Sequence, residues 1–506
     1  MKKYKLTNMN RNRIVSFKSC ILFSSCLLVT AVLINACTHG FIDKQPQANI
    51  IGIPDSSTAV QATNGIYAQL RNWSMVGFSL IGVTEIASDE ADKGSTPTDG
   101  SFFLDLKNYT ASATSPGSAS VLDPYWNGQY VGINRANVVI NNVPNVASLS
   151  LPMRNRLVGE AKFLRAWFYF NLVRTFGGVP LIMNDSIENN KKAFRASSAA
   201  VYALIESDLN FAIINLPLKS DYAPTDLGRA TQGAAETLLA KVSMYEKNWA
   251  RTKSLTDSVI ASGQYALYAD LNNLFTQTGK NCIESIFEIQ CGAGSTCGTG
   301  SQYAQIQLPR AAQDAPGWGF NNPSQSLVDS FETGDPRLKN TVISVGDTMY
   351  DGWIVPADVT NTYYNKKAYI GAGDYSACGL GDDPKDIIVF RYADVLLMNA
   401  EAANELAQTG QALASLEQVR SRARLGNPAI LPPVTTADQT QLRNAIWHER
   451  LVELAMEQDR WWDVVRQGRG PQIFGPQGFI AGKNEVWPIP MQEILLAPNL
   501  KQNPNY

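Results

Sequence analysis

Glu449, Glu453 and Glu457 recur every four residues in the stretch IWHERLVELAMEQDRWWDVVRQGR, and Asp459 and Asp463 follow at the same interval. On a helix this spacing stacks carboxylates one turn apart on a single face. Glycosidases use two carboxyl groups roughly 5–10 Å apart as acid and base or nucleophile, so glycoside hydrolysis is the first chemistry to weigh. However, like charges one turn apart repel, and Arg420, Arg422, Arg450 and Arg460 lie within reach in sequence. The cluster therefore reads as an ion lattice between helices. Glu160, with Arg156, Arg165 and Glu401, reads the same way.

A second acidic group, DEADKGSTPTDGS at residues 89–101, sets Asp89, Glu90, Asp92 and Asp99 among Gly and Ser. Its spacing does not match the 12-residue calcium loop closed by Glu. The reading is a solvated loop with acids able to address hydroxyl groups, and no metal is expected. Trp73, Tyr303, Trp318, Trp353, Tyr363 and Tyr364 fall outside helical stripes. Rings in loops either pack beneath them or stack on the C–H faces of sugars and on peptide side chains. Trp318 lies in GWGF, where flanking glycines leave room for a chain to approach its face.

His39 and His448 are the only histidines among 506 residues, which removes the usual group for triads, metal ligation and proton transfer near neutral pH. Phosphate-binding and nucleophile-elbow motifs do not occur in a strand–helix context, and no cofactor is expected. Residues 1–36 carry six Lys or Arg and no acid, leaving 37 basic against 45 acidic residues beyond them. That balance argues against nucleic acid as partner.

The basic start, the apolar run Ile21–Ile34 and Asn35-Ala36-Cys37 read as an export signal over 1–36, with Cys37 resembling the lipidated residue of a bacterial lipobox. Residues 37–56 form a polar tether. Cys282, Cys291, Cys297 and Cys378 then face an oxidising compartment and allow three pairings. Cys291 and Cys297 bracket the flexible GAGST, so a bridge is expected there, holding Tyr303 in place.

Positioning these groups is the task of a mainly helical chain. Leu157, Ala161, Leu164, Phe168 and Leu172 mark a helix over 154–180, stopped by Gly177-Gly178 and Pro180. Similar periodicity predicts helices at 57–72, from Tyr125 through Val143, and at 199–216, 229–249, 390–408, 411–424 and 441–466. They group into hairpins of tetratricopeptide size without a clean repeat. Residues 263–389 differ, with short apolar runs, many Gly and Pro, and loop aromatics. This is an irregular, partly β insertion suited to a binding surface. The segment 467–506 is Gly-rich and then extended.

GEAKFLRAWFYFNLVRTFGGVPL resembles the signature helix of the SusD/RagB family of outer-membrane nutrient-binding lipoproteins. Four further blocks match in order: GWGFNNPSQSLVDSFETGDPRL, FRYADVLLMNAEAANELAQTGQALASLEQVRSRARL, the Glu/Arg-rich helix quoted first, and WPIP…NPNY, which resembles the family's terminal strand and tail. The resemblance implies about four tetratricopeptide-like hairpins at 57–262 and 390–466, within one domain spanning 57–506, and a ligand-carrying insertion. It also implies a surface-exposed lipoprotein that binds an oligosaccharide without catalysis and delivers it to a SusC-like TonB-dependent outer-membrane transporter. A peptide ligand of the RagB kind is the alternative, and a surface glycoside hydrolase the alternative of another class. The site is expected where residues 280–365 meet 71–105, with Trp73, Asp89, Asp92, Tyr303 and Trp318 contacting ligand.

Overall fold

Helix α1 (Ser56–Leu70) starts where the Asp55 carboxylate accepts the Thr58 amide at 2.8 Å, satisfying one of the orphan donors of a helix start. The computed structural model describes residues 52–184, 192–292, 297–311, 315, 317–375, 378–379 and 381–506. Cys37, the leader and most of the tether lie outside them. Pro54–Tyr506 forms one compact unit.

Helix α2 spans Asp123–Asn142 and α3 spans Leu151–Phe176. Ser150 caps α3, and Gly177, at φ 74°, ends it in a conformation that favours glycine. Phe163, Leu164, Trp167, Phe168, Tyr169 and Phe170 are all buried, so α3 is covered on every side, as its aromatic content predicts. It packs between α2 and α4 (Ser198–Asn215). Helices α5 (Gln232–Tyr245) and α6 (Trp249–Ala261) form the next pair, and α7 (Tyr392–Glu405) and α8 (Thr409–Ala423) the last. Each pair packs on the one before it, with α6 against α7 across the whole insertion. Among the described residues the long helices thus form four hairpins in series.

The 441–466 stretch departs from a single helix. It is α9 (Gln439–Glu453) and α10 (Arg460–Arg466), separated by a break in which Met456 and Gln458 take positive φ. Charged groups take over the backbone there. The Glu453 carbonyl accepts from Arg391 at 2.7 Å and Lys367 at 2.9 Å, while the Gln458 amide donates to the buried Glu85 carboxylate at 2.7 Å. The WPIP segment is also not a strand. It runs extended, tied at its start by the Trp487 amide to the Thr175 carbonyl at 2.8 Å, with the Trp487 ring buried against Trp461 and Tyr109.

Among the described residues the strands form three antiparallel pairs: β1 (Ala91–Gly94) with β3 (Phe320–Pro323), β2 (Ser285–Ile289) with β6 (Ile387–Arg391), and β4 (Val342–Ser344) with β5 (Tyr363–Asn365). The β1–β3 pair matters most for the site, because it joins the acidic segment to the insertion. Gly94 lies opposite Phe320 and Asp92 opposite Asn322.

Candidate functional site

Trp73 opens a short helix, Trp73–Val76, capped by the Asn72 side chain, and a second short helix, Phe78–Ile81, follows. Trp318 arrives from the insertion. Its amide donates to the Gln305 carbonyl at 2.9 Å, and the flanking amides of Gly317 and Gly319 donate to Pro309 and Leu308 at 3.0 Å each. The two tryptophan rings, from distant parts of the chain, stand 6.1 Å apart at 57°. Phe78 lies 4.9 Å from Trp73 and 5.9 Å from Trp318, edge-on to both. Phe102, Phe103 and Phe320 extend the cluster behind it. Trp73, Phe78, Phe102 and Trp318 are half-buried, whereas Phe103 and Phe320 are fully buried. A packed floor therefore carries a partly open platform of rings.

The backbone itself requires the glycines around Trp318. A Cβ at Gly317 would lie 1.9 Å from the Leu308 carbonyl oxygen, and Gly319 takes φ 70°. Only glycine fits this close approach and this left-handed turn without strain.

A polar edge borders the platform. Arg310 donates to Ser95 Oγ at 2.8 Å and to the Asp99 carboxylate, and that hydrogen bond holds the Asp99 carboxyl below its usual range. Both members of this pair are more than a third exposed. Lys93 donates to the carbonyls of Gly94, Thr96 and Asp99 at 2.7–2.8 Å. The turn of the acidic loop is thus organised by a cation of the chain itself. Thr360 and Asn361 approach Gly319 from the far side.

Two of the expected contact residues, Asp89 and Tyr303, lie elsewhere. Asp89 accepts from Arg460 through both oxygens at 2.8 Å. Although burial pushes its carboxyl upward, that guanidinium holds it below the ordinary range, and both carboxylate oxygens already have partners. Tyr303 is not in a loop. It opens the short helix Tyr303–Gln307, 3% exposed, with its hydroxyl accepting from Gln458. Asp92 is exposed and reaches Lys107 at 3.3 Å, on the β1 strand adjoining the platform.

The expected Cys291–Cys297 bridge is replaced by Cys297–Cys378, which closes across 81 residues of sequence. Cys291, two residues past the end of β2, is buried; its amide donates to Asp386 at 2.7 Å and burial pushes its thiol up to about 12. Asp382 meanwhile accepts the Gly298 and Gly300 amides at 2.8 and 2.6 Å, tying its stretch of chain to the one that carries Cys297.

The carboxylate cluster is an ion lattice. Glu453 is buried and accepts from Arg337 at 3.0 Å, Arg391 at 2.6 Å and Arg422. Burial raises its carboxyl, but these guanidiniums outweigh burial and hold it well below the ordinary range, the reverse of a general acid's requirement. Glu449 meets Arg420 at 2.7 Å and Arg337, Glu457 meets Arg391 at 2.7 Å and Lys367 at 2.6 Å, and Glu284 meets Arg391 and Arg422 at 2.8 and 2.9 Å. Glu160 pairs with Arg156 and Arg229, while Arg165 turns instead to Asp208 at 2.7 Å. The neighbouring cavity, beside Arg174, Lys241 and Asp459, holds about 60 Å³, well under the roughly 300 Å³ at which small-ligand pockets begin.

Phe78, Phe102 and Arg310 complete the platform and its edge, and sequence reasoning did not find them. Phe78 lies in the apolar run Met75–Ile81 and reads as core. Arg310 carries no local signal.

Comparison with known proteins gives the same architecture. The SusD family model matches residues 283–506, and a second model, "starch-binding associating with outer membrane", matches 86–244. A SusD-like protein of Formosa agariphila is 29% identical, covering 88% of this chain and 92% of its own length, and one of Bacteroides ovatus is 28% identical over 88% and 83%. Among solved structures, a laminarin-binding SusD-like protein is 30% identical with a TM-score of 0.77, covering 90% of this chain and all of its own. The four-hairpin scaffold, the insertion between its third and fourth hairpins and these likenesses together place the chain in the SusD family.

Proposed function

We propose that this protein is a lipid-anchored, surface-exposed and non-catalytic glycan-binding protein that passes an oligosaccharide to a SusC-like TonB-dependent transporter. The observation that carries this reading is the half-open platform of Trp73, Phe78 and Trp318 with the Arg310–Asp99 pair at its edge. A pyranose ring has an apolar C–H face and a rim of hydroxyls. Flat rings shield the face, and a guanidinium and a carboxylate answer the rim with donors and acceptors. Because the rings are packed on Phe103 and Phe320 before binding, little ordering entropy is lost on capture. The laminarin-binding relative, at 30% identity, makes a glucan the first ligand to try.

The lattice of Glu449, Glu453 and Glu457 supports binding without turnover, since each carboxylate is neutralised by buried cations. The test is affinity electrophoresis and calorimetry against laminarin, amylopectin, xylan and arabinan, with product analysis after long incubation. Retention of one polysaccharide without shortening is expected. Release of shorter chains would move the protein to the hydrolases, and retention of a peptide library with none of the glycans would move it to peptide uptake. Anchoring is tested with Cys37→Ala, which should leave the outer-membrane fraction. The partner is tested by mild detergent extraction, which should bring a TonB-dependent transporter with the wild-type chain.

A further inference from the structure

A second group of rings lies on the other side of the segment that carries Arg310. Leu308, Pro309, Asp351, Trp353, Tyr369 and Tyr375 line a cleft of about 390 Å³, within the range of small-ligand pockets, roughly 300–1,000 Å³. Trp353 lies nearly parallel to Tyr369, at 14° and 6.2 Å between centroids. Tyr369 is buried and belongs to a core with Ile343, Met349, Val355 and Tyr364, whereas Trp353 and Tyr375 are half-buried on its margin. This repeats the construction of the first platform, with a packed ring beneath and open rings above it.

One acid is fixed in the cleft. Asp351 Oδ1 accepts the Tyr369 hydroxyl at 3.1 Å and the Trp353 amide at 3.2 Å, and Oδ2 accepts the Ala372 amide at 3.1 Å. A carboxylate offers about four acceptor positions, so Oδ2 keeps one for a further donor. Gly371 allows this closeness, since a Cβ there would meet Oδ2 at 2.7 Å. An acceptor held rigidly beside apolar ring faces matches a sugar hydroxyl next to a C–H face.

The two clefts share one wall. Pro309 lines this one, and the next residue, Arg310, sends its guanidinium to Asp99 at the edge of the Trp73–Trp318 platform. Adjacent Cα atoms are about 3.8 Å apart, so the short ridge Leu308–Arg310 contributes to both sites. The Arg310 carbonyl stiffens it by accepting the Thr360 amide at 2.8 Å. We propose that the Asp351–Trp353–Tyr375 cleft is a second pyranose subsite, engaged by a later unit of the same glycan chain that occupies the Trp73–Trp318 platform. The proposal rests on the glycan-binding reading above. Two subsites on one rigid ridge make affinity rise with chain length, because the second contact is made at high effective concentration.

The experiment uses the mature protein, the panel polysaccharide that the wild type retains, and its three- and six-unit oligosaccharides, read by calorimetry. Trp353→Ala removes the ring. Ala372→Trp fills the cleft from an exposed position and leaves the core rings in place. Both variants are expected to bind the three-unit ligand within twofold of wild type and to lose at least fivefold on the six-unit ligand. Equal affinity of both variants and wild type for both lengths overturns the second subsite and leaves the first platform standing. Loss of the three-unit ligand in the well-folded Ala372→Trp variant overturns the division of labour and makes this cleft the primary site. If the wild type retains no panel polysaccharide, the glycan reading itself falls, and this proposal with it.

Discussion

Two clusters in this chain have residue types suited to sugar chemistry, and the structure treats them in opposite ways. The carboxylates of α9 and the following break are buried, each against one or more cations: Glu453 alone meets Arg337, Arg391 and Arg422. The rings of Trp73, Phe78 and Trp318 are left half-open above a buried floor. The difference follows from what each group loses by burial. A charge taken from water must be paired or neutralised, so once buried its oxygens are committed. A partly exposed aromatic ring forgoes only a part of its apolar burial, has no charge to neutralise, and keeps a face for a ligand. Carboxylates stacked at helical spacing therefore built the scaffold here, while aromatics outside helical stripes built the surface.

The sharpest break between the two regions is Glu453→Gln. It leaves three buried guanidiniums short of a partner, and removing one member of a buried pair costs about 3–5 kcal/mol. A large fall in melting temperature is expected, with affinity per folded molecule unchanged. The same residue sets a pH dependence. Its folded-state carboxyl lies well below the unfolded value of 4.5, so its contribution is present above about pH 4.5 and lost as pH falls below it. The wild type should lose stability steeply in that acid range and Glu453→Gln less so, as read by melts in a buffer series.

Asp89→Asn comes next. It strips the charge from the partner of Arg460, and hydrogen bonds to charged groups contribute about 1.5–3 kcal/mol. The melt should drop while calorimetry against the retained glycan stays the same. A loss of affinity without a change in the melt would return Asp89 to the binding surface.

Trp318→Ala should behave in the opposite way. Stacking on an aromatic contributes about 1–3 kcal/mol in the nearest studied case, nucleic-acid bases, which corresponds to a roughly tenfold or greater fall in affinity. The melt should move less than in Glu453→Gln, because the half-buried ring gives up only part of a full apolar burial together with ring–ring contacts of about 0.5–1.5 kcal/mol each. Unaltered binding by both Trp318→Ala and Trp73→Ala would show that the platform is packing. The smallest effect belongs to Asp92→Asn. Its exposed pair with Lys107 contributes at most about 1 kcal/mol, and Lys107 keeps the carbonyls of Ser88 and Ala91. An unchanged melt and an affinity change of no more than a few-fold are expected.

The sequence by itself determined the helices, because their pattern is local. The stripe Leu157, Ala161, Leu164, Phe168, Leu172 and the stop at Gly177 need only neighbours within a few turns, and α3 ends at Phe176 as they require. It also determined that the clustered acids would be paired, since like charges at one-turn spacing demand cations. Which cations answered was decided in three dimensions. Arg337 and Arg391 come from the insertion and its last strand, and Arg391 with Lys367 takes the Glu453 carbonyl where the 441–466 helix breaks. Tertiary structure alone sent Asp89 to Arg460, 371 residues away, and joined Cys297 to Cys378 in place of Cys291. It also set Phe78 between Trp73 and Trp318, which lie far apart in sequence. Periodicity reports how a residue faces its own helix or strand. It carries no record of which distant segment will lie opposite, and the β1–β3 pairing and the ridge at Leu308–Arg310 that assemble this site are contacts of that long-range kind.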